Sequence, residues 1–89
     1  MNSRLTEAFL AHFAALPDAV KAQARKAHRL WRQNPAHPGL QFKRVHSREP
    51  IYSARVSIGW RVLGLLEGDT VYWFWVGSHA EYDRLLKHL

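Results

Sequence analysis

The chain is expected to fold as an α+β domain: a helical hairpin, packed on an antiparallel sheet of about four strands, with a short C-terminal helix. Three observations predict this. Up to residue 33, apolar residues recur at helical spacing. After the cluster Asn34-Pro35-Ala36-His37-Pro38-Gly39 the period changes to two, the period of strands. The run Val71–Val76 is apolar on both sides of a pleat, as in a strand with both sheet faces covered. Helices first and a meander second make an α+β arrangement.

Asn2 or Ser3 can cap a first helix over residues of about 4–15, where Leu5, Phe9, Phe13 and Leu16 share a face. Pro17 suits the first turn of a second helix, and Asp18 favours its positive end. That helix runs to about residue 33, with Val20, Ala24, Ala27 and Trp31 inward and Lys21, Arg25, Arg29 and Arg32 outward. Each helix is too short to be stable alone, so the two are expected to form an antiparallel hairpin. The two prolines and glycine that follow make a stiff connector. Leu40–Val45 is the first candidate strand, with a loop over His46–Pro50. In Ile51–Ile58, Tyr52, Ala54, Val56 and Ile58 alternate with Ser53, Arg55 and Ser57. Gly59 turns the chain into Trp60–Leu66, and Glu67-Gly68-Asp69 turns it again into the apolar run. In that run Val71, Trp73 and Trp75 are expected on one face, and Tyr72, Phe74 and Val76 on the other. Ser78-His79-Ala80-Glu81 has the spacing of a capping box. It would open a last helix with Tyr82, Leu85, Leu86 and Leu89 on its apolar side.

With 89 residues the chain makes one small domain, 47% hydrophobic with four Trp. A chain of this size buries only about 60–70% of its unfolded surface, so its core must be efficient. There is no Cys, which excludes a disulfide framework, a thiolate zinc site and a cysteine nucleophile. His28, His37 and His88 lack ligand spacing, so no metal site is expected. No apolar run reaches the length of a spanning helix and no signal-peptide profile opens the chain, so the expected location is the cytosol. Net charge is +6, with a pI near 10.3, and no acid occurs between Asp18 and Glu49. Such a bias fits a polyanion such as nucleic acid, or an acidic protein partner.

Several short motifs in order carry a resemblance: Asn34-Pro35…Pro38-Gly39-Leu40, Phe42-Lys43, Arg55…Trp60-Arg61-Val62, and Gly77-Ser78-His79. Together they resemble the RelE/ParE superfamily, the bacterial toxins of type II toxin–antitoxin pairs, over nearly the whole chain. Family members usually begin with a β-strand. Here only Met1–Leu5 precede the first helix, so that strand is expected to be missing or vestigial. RelE-type members cut mRNA on the ribosome and so inhibit translation. The resemblance implies metal-free and cofactor-free chemistry: activation of a ribose 2′-OH, in-line attack on the adjacent phosphate, and a 2′,3′-cyclic phosphate product. It also implies a cognate antitoxin as neutralising partner.

That chemistry needs a base, an acid for the leaving oxygen, and cations for the developing charge. By the resemblance, Arg61 is the expected phosphate ligand, although a strand arginine with a solvated head reads the same way in sequence. His79 is the expected acid or base, or else a polar residue of an ordinary helix start. Arg55 flanks the same turn as Arg61, and Tyr82, or Asp83 beside it, falls near the family's C-terminal site residue. Lys43, Arg44, His46 and Arg48 are the expected RNA contacts, with Lys43 and Arg44 on opposite faces. The basic stripe of the second helix reads as a solvated face or a phosphate contact. Trp60 and Trp75 read as core, with base stacking the alternative. A hairpin turning at Gly68 would bring Trp60 and Arg61 near Val76 and Gly77, and so Arg61 near His79. Three functions fit: an mRNA endonuclease, a ParE-type DNA gyrase inhibitor without nuclease chemistry, and a non-toxic domain that binds an antitoxin-like protein or nucleic acid. Fold alone does not separate them.

Overall fold

The chain is organised around β5 (Thr70–Ser78), an interior strand in the computed structural model, which describes residues 1–89. Five strands form one sheet in the order β1-β5-β4-β3-β2. They are β1 (Asn2–Leu5), β2 (Lys43–Arg44), β3 (Ile51–Ser57), β4 (Trp60–Glu67) and β5. Helices α1 (Glu7–Ala14) and α2 (Asp18–Gln33) form the hairpin on one face, and α3 (His79–Leu86) lies on the other.

The first strand is neither missing nor helical. Asn2–Leu5 pairs in parallel with Thr70–Trp73, so the sheet is mixed rather than antiparallel and has five strands rather than four. Four residues are too few for a period to register, and their partner lies at the far end of the chain. Trp73 Nε1–H donates to Ser3 Oγ at 3.0 Å, which in turn meets His28 Nε2 at 2.9 Å. The helix cap therefore moves to Thr6, whose Oγ1 accepts from Phe9 N–H and donates to Trp73 C=O.

The expected strand over Leu40–Val45 shrinks to Lys43–Arg44. A 3-10 turn occupies Pro38–Leu40, and Gln41 adopts φ 47°, a left-handed conformation that ends extended chain. The turn drives Leu40 into the core at 2% exposure.

The alternation along β5 is broken by a bulge. Leu63 pairs with Trp75 but Gly64 pairs with Trp73, so Phe74 is the extra residue. One extra residue moves everything beyond it to the opposite face. Val71, Trp73 and Val76 therefore share the helical-hairpin core with Trp31 and Ala54. Trp75 crosses to the α3 side, where Ile51, Leu63 and Tyr82 form the second core. Gly64 accommodates the bulge, since a Cβ there would lie 2.4 Å from Val71 and 2.7 Å from the Trp73 ring.

The strand expected over Ile51–Ile58 ends at Ser57, with a register shift after Arg55, and Ile58 lies in the turn at 80% exposure rather than on the apolar face. Val20, Ala24 and Trp31 are the buried stripe of α2. Ser78 and Glu81 complete a reciprocal capping box at α3. Leu89 is 45% exposed and does not join the apolar side of that helix. No helix is long and apolar enough to cross a membrane.

Candidate active site

The α3 face of the sheet carries the cationic residues. In antiparallel pairs, directly opposed residues point to the same face. Lys43 opposes Ser53, Arg55 opposes Arg61, and Arg61 opposes Gly77. Ser53 faces α3, because Tyr82 Oη donates to its Oγ at 3.0 Å. Ser53 and Arg55 alternate by two, so Arg55, Arg61 and Gly77 make one row across three strands on that face. The bulge sets the row's last member. Counted back from the pair Glu67↔Thr70, an unbroken ladder would place Val76 opposite Arg61. The extra residue brings Gly77 there, and Ser78-His79 immediately behind it.

Gly77 has no side chain for a physical reason. A Cβ on it would lie 2.5 Å from the Trp75 ring, which lies across that position. The indole thus occupies the space that a side chain at Gly77 would take. Trp60 packs instead against the hairpin core.

Arg61 is anchored but not used up. Its Nη1 donates to the carbonyls of Ser57 (2.6 Å), Trp60 (3.0 Å) and Ile58 (3.3 Å), closing the β3–β4 turn. Nε and Nη2 have no protein partner. Burial pushes its guanidinium below the usual arginine range, and the neighbouring Arg55 adds to this, while Tyr82 and Asp83 oppose it. Two like charges directly opposed in a sheet cost stability. Here no carboxylate bridges the pair, so neither charge is neutralised by an ion pair.

His79 is held on three sides. Its backbone N–H donates to Gly59 C=O at 2.8 Å, its ring stands edge-on to Tyr82 at 5.9 Å, and its Nδ1 lies 3.1 Å from Asp83 Oδ2. Nε2 is unpartnered. The site thus brings together Arg55, Arg61 and His79, with Asp83 joining them and Lys43 on the same face.

The other expected residues are placed differently. Tyr82 is 7% exposed, and its hydroxyl is committed to Ser53 inside the second core. Arg44 reaches the carbonyls of His46 and Arg48, and His46 Nδ1 accepts from the N–H groups of Arg48 and Glu49. These two side chains build the β2–β3 loop. Lys43 and Arg48 keep free cationic heads. Asp83 stood in the sequence only as an alternative to Tyr82. The signal that finds it is His-x-x-x-Asp at one-turn spacing inside a capped helix.

The model of the ParE-like toxin domain matches residues 18–84. The chain belongs to that family. As a RelE/ParE superfamily toxin, it shares its fold with several solved structures. RelE in the RelB–RelE antitoxin–toxin complex of Methanococcus jannaschii superposes with TM-score 0.72 at 14% identity, over 91% of this chain and 96% of that one. YafQ from E. coli strain BL21(DE3) gives the same values. The isolated E. coli RelE toxin superposes with TM-score 0.65 at 16% identity, over 99% and 98%. Among curated proteins none matches by sequence. At these identities the superpositions establish the ParE-like toxin fold, and the chemistry must be argued from the site.

Proposed function

We propose that this ParE-like toxin domain is a metal-independent mRNA endonuclease that inhibits translation. The observation that carries the reading is the row Arg55–Arg61–Gly77 ending at His79. It presents two adjacent guanidiniums with free donors beside an imidazole whose Nε2 is free. A scissile phosphate seats on Arg55 and Arg61, which stabilise the charge gathering on its oxygens. His79 Nε2 takes the proton of the neighbouring 2′-OH. The 2′-oxygen bonds to phosphorus and the P–O5′ bond breaks. The leaving oxygen acquires a proton from water, and the products are a 2′,3′-cyclic phosphate and a 5′-hydroxyl. Lys43 and Arg48 extend the cationic surface along the RNA, with the ribosome as the setting in which mRNA is presented.

Induced expression is expected to arrest growth and leave mRNA cleaved with cyclic phosphate ends, and Arg61→Ala or His79→Ala is expected to abolish both. Cleavage surviving in both variants rejects the site. The ParE-like family match favours a second reading, gyrase inhibition through protein contact. Growth arrest with intact mRNA and a DNA-damage response selects it.

The expected partner is an antitoxin, as in the RelB–RelE complexes of M. jannaschii and Pyrococcus horikoshii among the structural neighbours. The hairpin offers a seat for an acidic, amphipathic segment. A groove of about 190 Å³ between α1 and α2 is walled by Phe13, Ala27 and Val62. At its lip the Arg25 guanidinium lies 5.2 Å above the Phe13 ring. An acidic, amphipathic partner segment would fit a groove whose lining is apolar and carries Arg25 but no carboxylate.

A further inference from the structure

We propose that Asp83 is a positioning residue for His79, fixing the imidazole tautomer in which Nε2 carries the lone pair. The inference rests on the endonuclease reading only for its catalytic consequence; the tautomer itself follows from the contacts. His79 is the first residue of α3 after its Ser78 cap, and Asp83 stands four residues on, on the same helix face. Nδ1 and Oδ2 are 3.1 Å apart, the one histidine–carboxylate contact in the chain. An ionised carboxylate can only accept, so the proton between the two belongs to Nδ1. Neutral His79 then presents a bare Nε2, the form that can take a proton.

Two further contacts bear on how the ring is placed. Its backbone is tied to Gly59, and its plane abuts Tyr82, whose own ring is fixed by the bond from its hydroxyl to buried Ser53. Tyr82 therefore serves as the wall that orients His79, not as an acid. Asp83 also lies close enough to act electrostatically on Arg61. One carboxylate thus faces both the base and the phosphate ligand from α3. In the step proposed above, the 2′-OH proton moves to Nε2 and Asp83 holds the resulting imidazolium by its Nδ1–H. The carboxylate itself takes no proton.

The test uses ¹⁵N NMR of the full chain above the histidine titration, with ring nitrogens of His79 assigned through His79→Gln. The Nδ1–H tautomer is expected in the native protein. Asp83→Ala is expected to redistribute it toward Nε2–H, and Asp83→Glu to restore it in part. A native Nε2–H tautomer, or one unchanged in Asp83→Ala, overturns the proposal whether or not the chain cleaves RNA. For cleavage, Asp83→Ala is expected to lower kcat about 10-fold or more with KM changed less than about 3-fold. An unchanged kcat overturns the catalytic role. If the native protein has the tautomer but cuts no RNA, the endonuclease reading fails and the positioning stands. Asp83 is 57% exposed at its side chain, so the variants are expected to fold, which circular dichroism verifies.

Discussion

Arg55 and Arg61 face each other across β3 and β4 with no carboxylate between them. A pair of like charges opposed in a sheet destabilises it by roughly 0.2–1 kcal/mol. Arg55→Thr keeps strand propensity and removes the repulsion. It is expected to raise the denaturant midpoint slightly, by about 0.5 kcal/mol in stability, while RNA cleavage falls. A variant both less stable and fully active would contradict that account.

His28 is a second residue whose charge state is set by its surroundings. Burial and Arg32 hold its pKa below the ordinary histidine value of 6.5. Below about pH 6.5 the unfolded chain takes up a proton that the folded one resists, so stability is lost as pH falls from there toward the lowered folded value. Glu81 acts in a separate window. Its pKa is held below 4.5 by hydrogen bonds from the Ser78 side chain and backbone, so its contribution is present above pH 4.5 and lost beneath it. The thermal midpoint is expected to drop between pH 7 and 5, and the drop to shrink in His28→Gln. An equal slope in that variant would remove His28 as the cause.

At the scale of elements, β5 matters most, and its bulge is the feature on which the site depends. Gly64 makes room where Trp73 and Val71 close over β4. Gly64→Ala forces two core side chains aside and is expected to cost about 1–3 kcal/mol. The bulge keeps Trp75 and Gly77 on the Arg61 face, so the same variant is expected to depress cleavage beyond its loss of stability. Proton-detected NMR of the Trp75 indole reports whether the ring has moved. Helix α3 depends on its cap. Ser78→Ala removes the acceptor for Glu81 N–H and is expected to cost ~1 kcal/mol, read from the urea midpoint.

Across the whole molecule, two cores lie on opposite faces of one sheet. The larger, under the hairpin, is built on Trp31 at 1% exposure, with Trp73 and Phe42 edge-on to it. Trp31→Ala is expected to cost about 3–5 kcal/mol, a large share of the stability of a domain this small. The smaller core, under α3, backs the proposed site. Its Tyr82–Ser53 bond ties the last helix to β3, and so ties His79 to the arginine row. The hairpin supplies most of the core and an apolar groove edged by Arg25, whereas the α3 face carries the proposed site.

Much of this could be read from residue order. The α2 stripe, the Ser78–Glu81 box, the alternation of Ile51–Ser57 and the turn at Gly68 are all local patterns, each contained within one element or one turn. The approach of Arg61 to the strand exit at Gly77 was readable for the same reason, because two strands joined by a tight turn leave little choice of register. What required the tertiary structure is what joins distant segments. A four-residue strand exists only because β5 offers it a partner some 68 residues away by pairing position. The crossing of Trp75 to the α3 face depends on a bulge that no pattern in T-V-Y-W-F-W-V announces. The engagement of the Tyr82 hydroxyl depends on Ser53, and the exposure of Asp83 beside His79 on how α3 lies on the sheet. Local propensity is encoded residue by residue, but register, bulge and hydrogen-bond partner are settled only when separate elements compete for the same buried space.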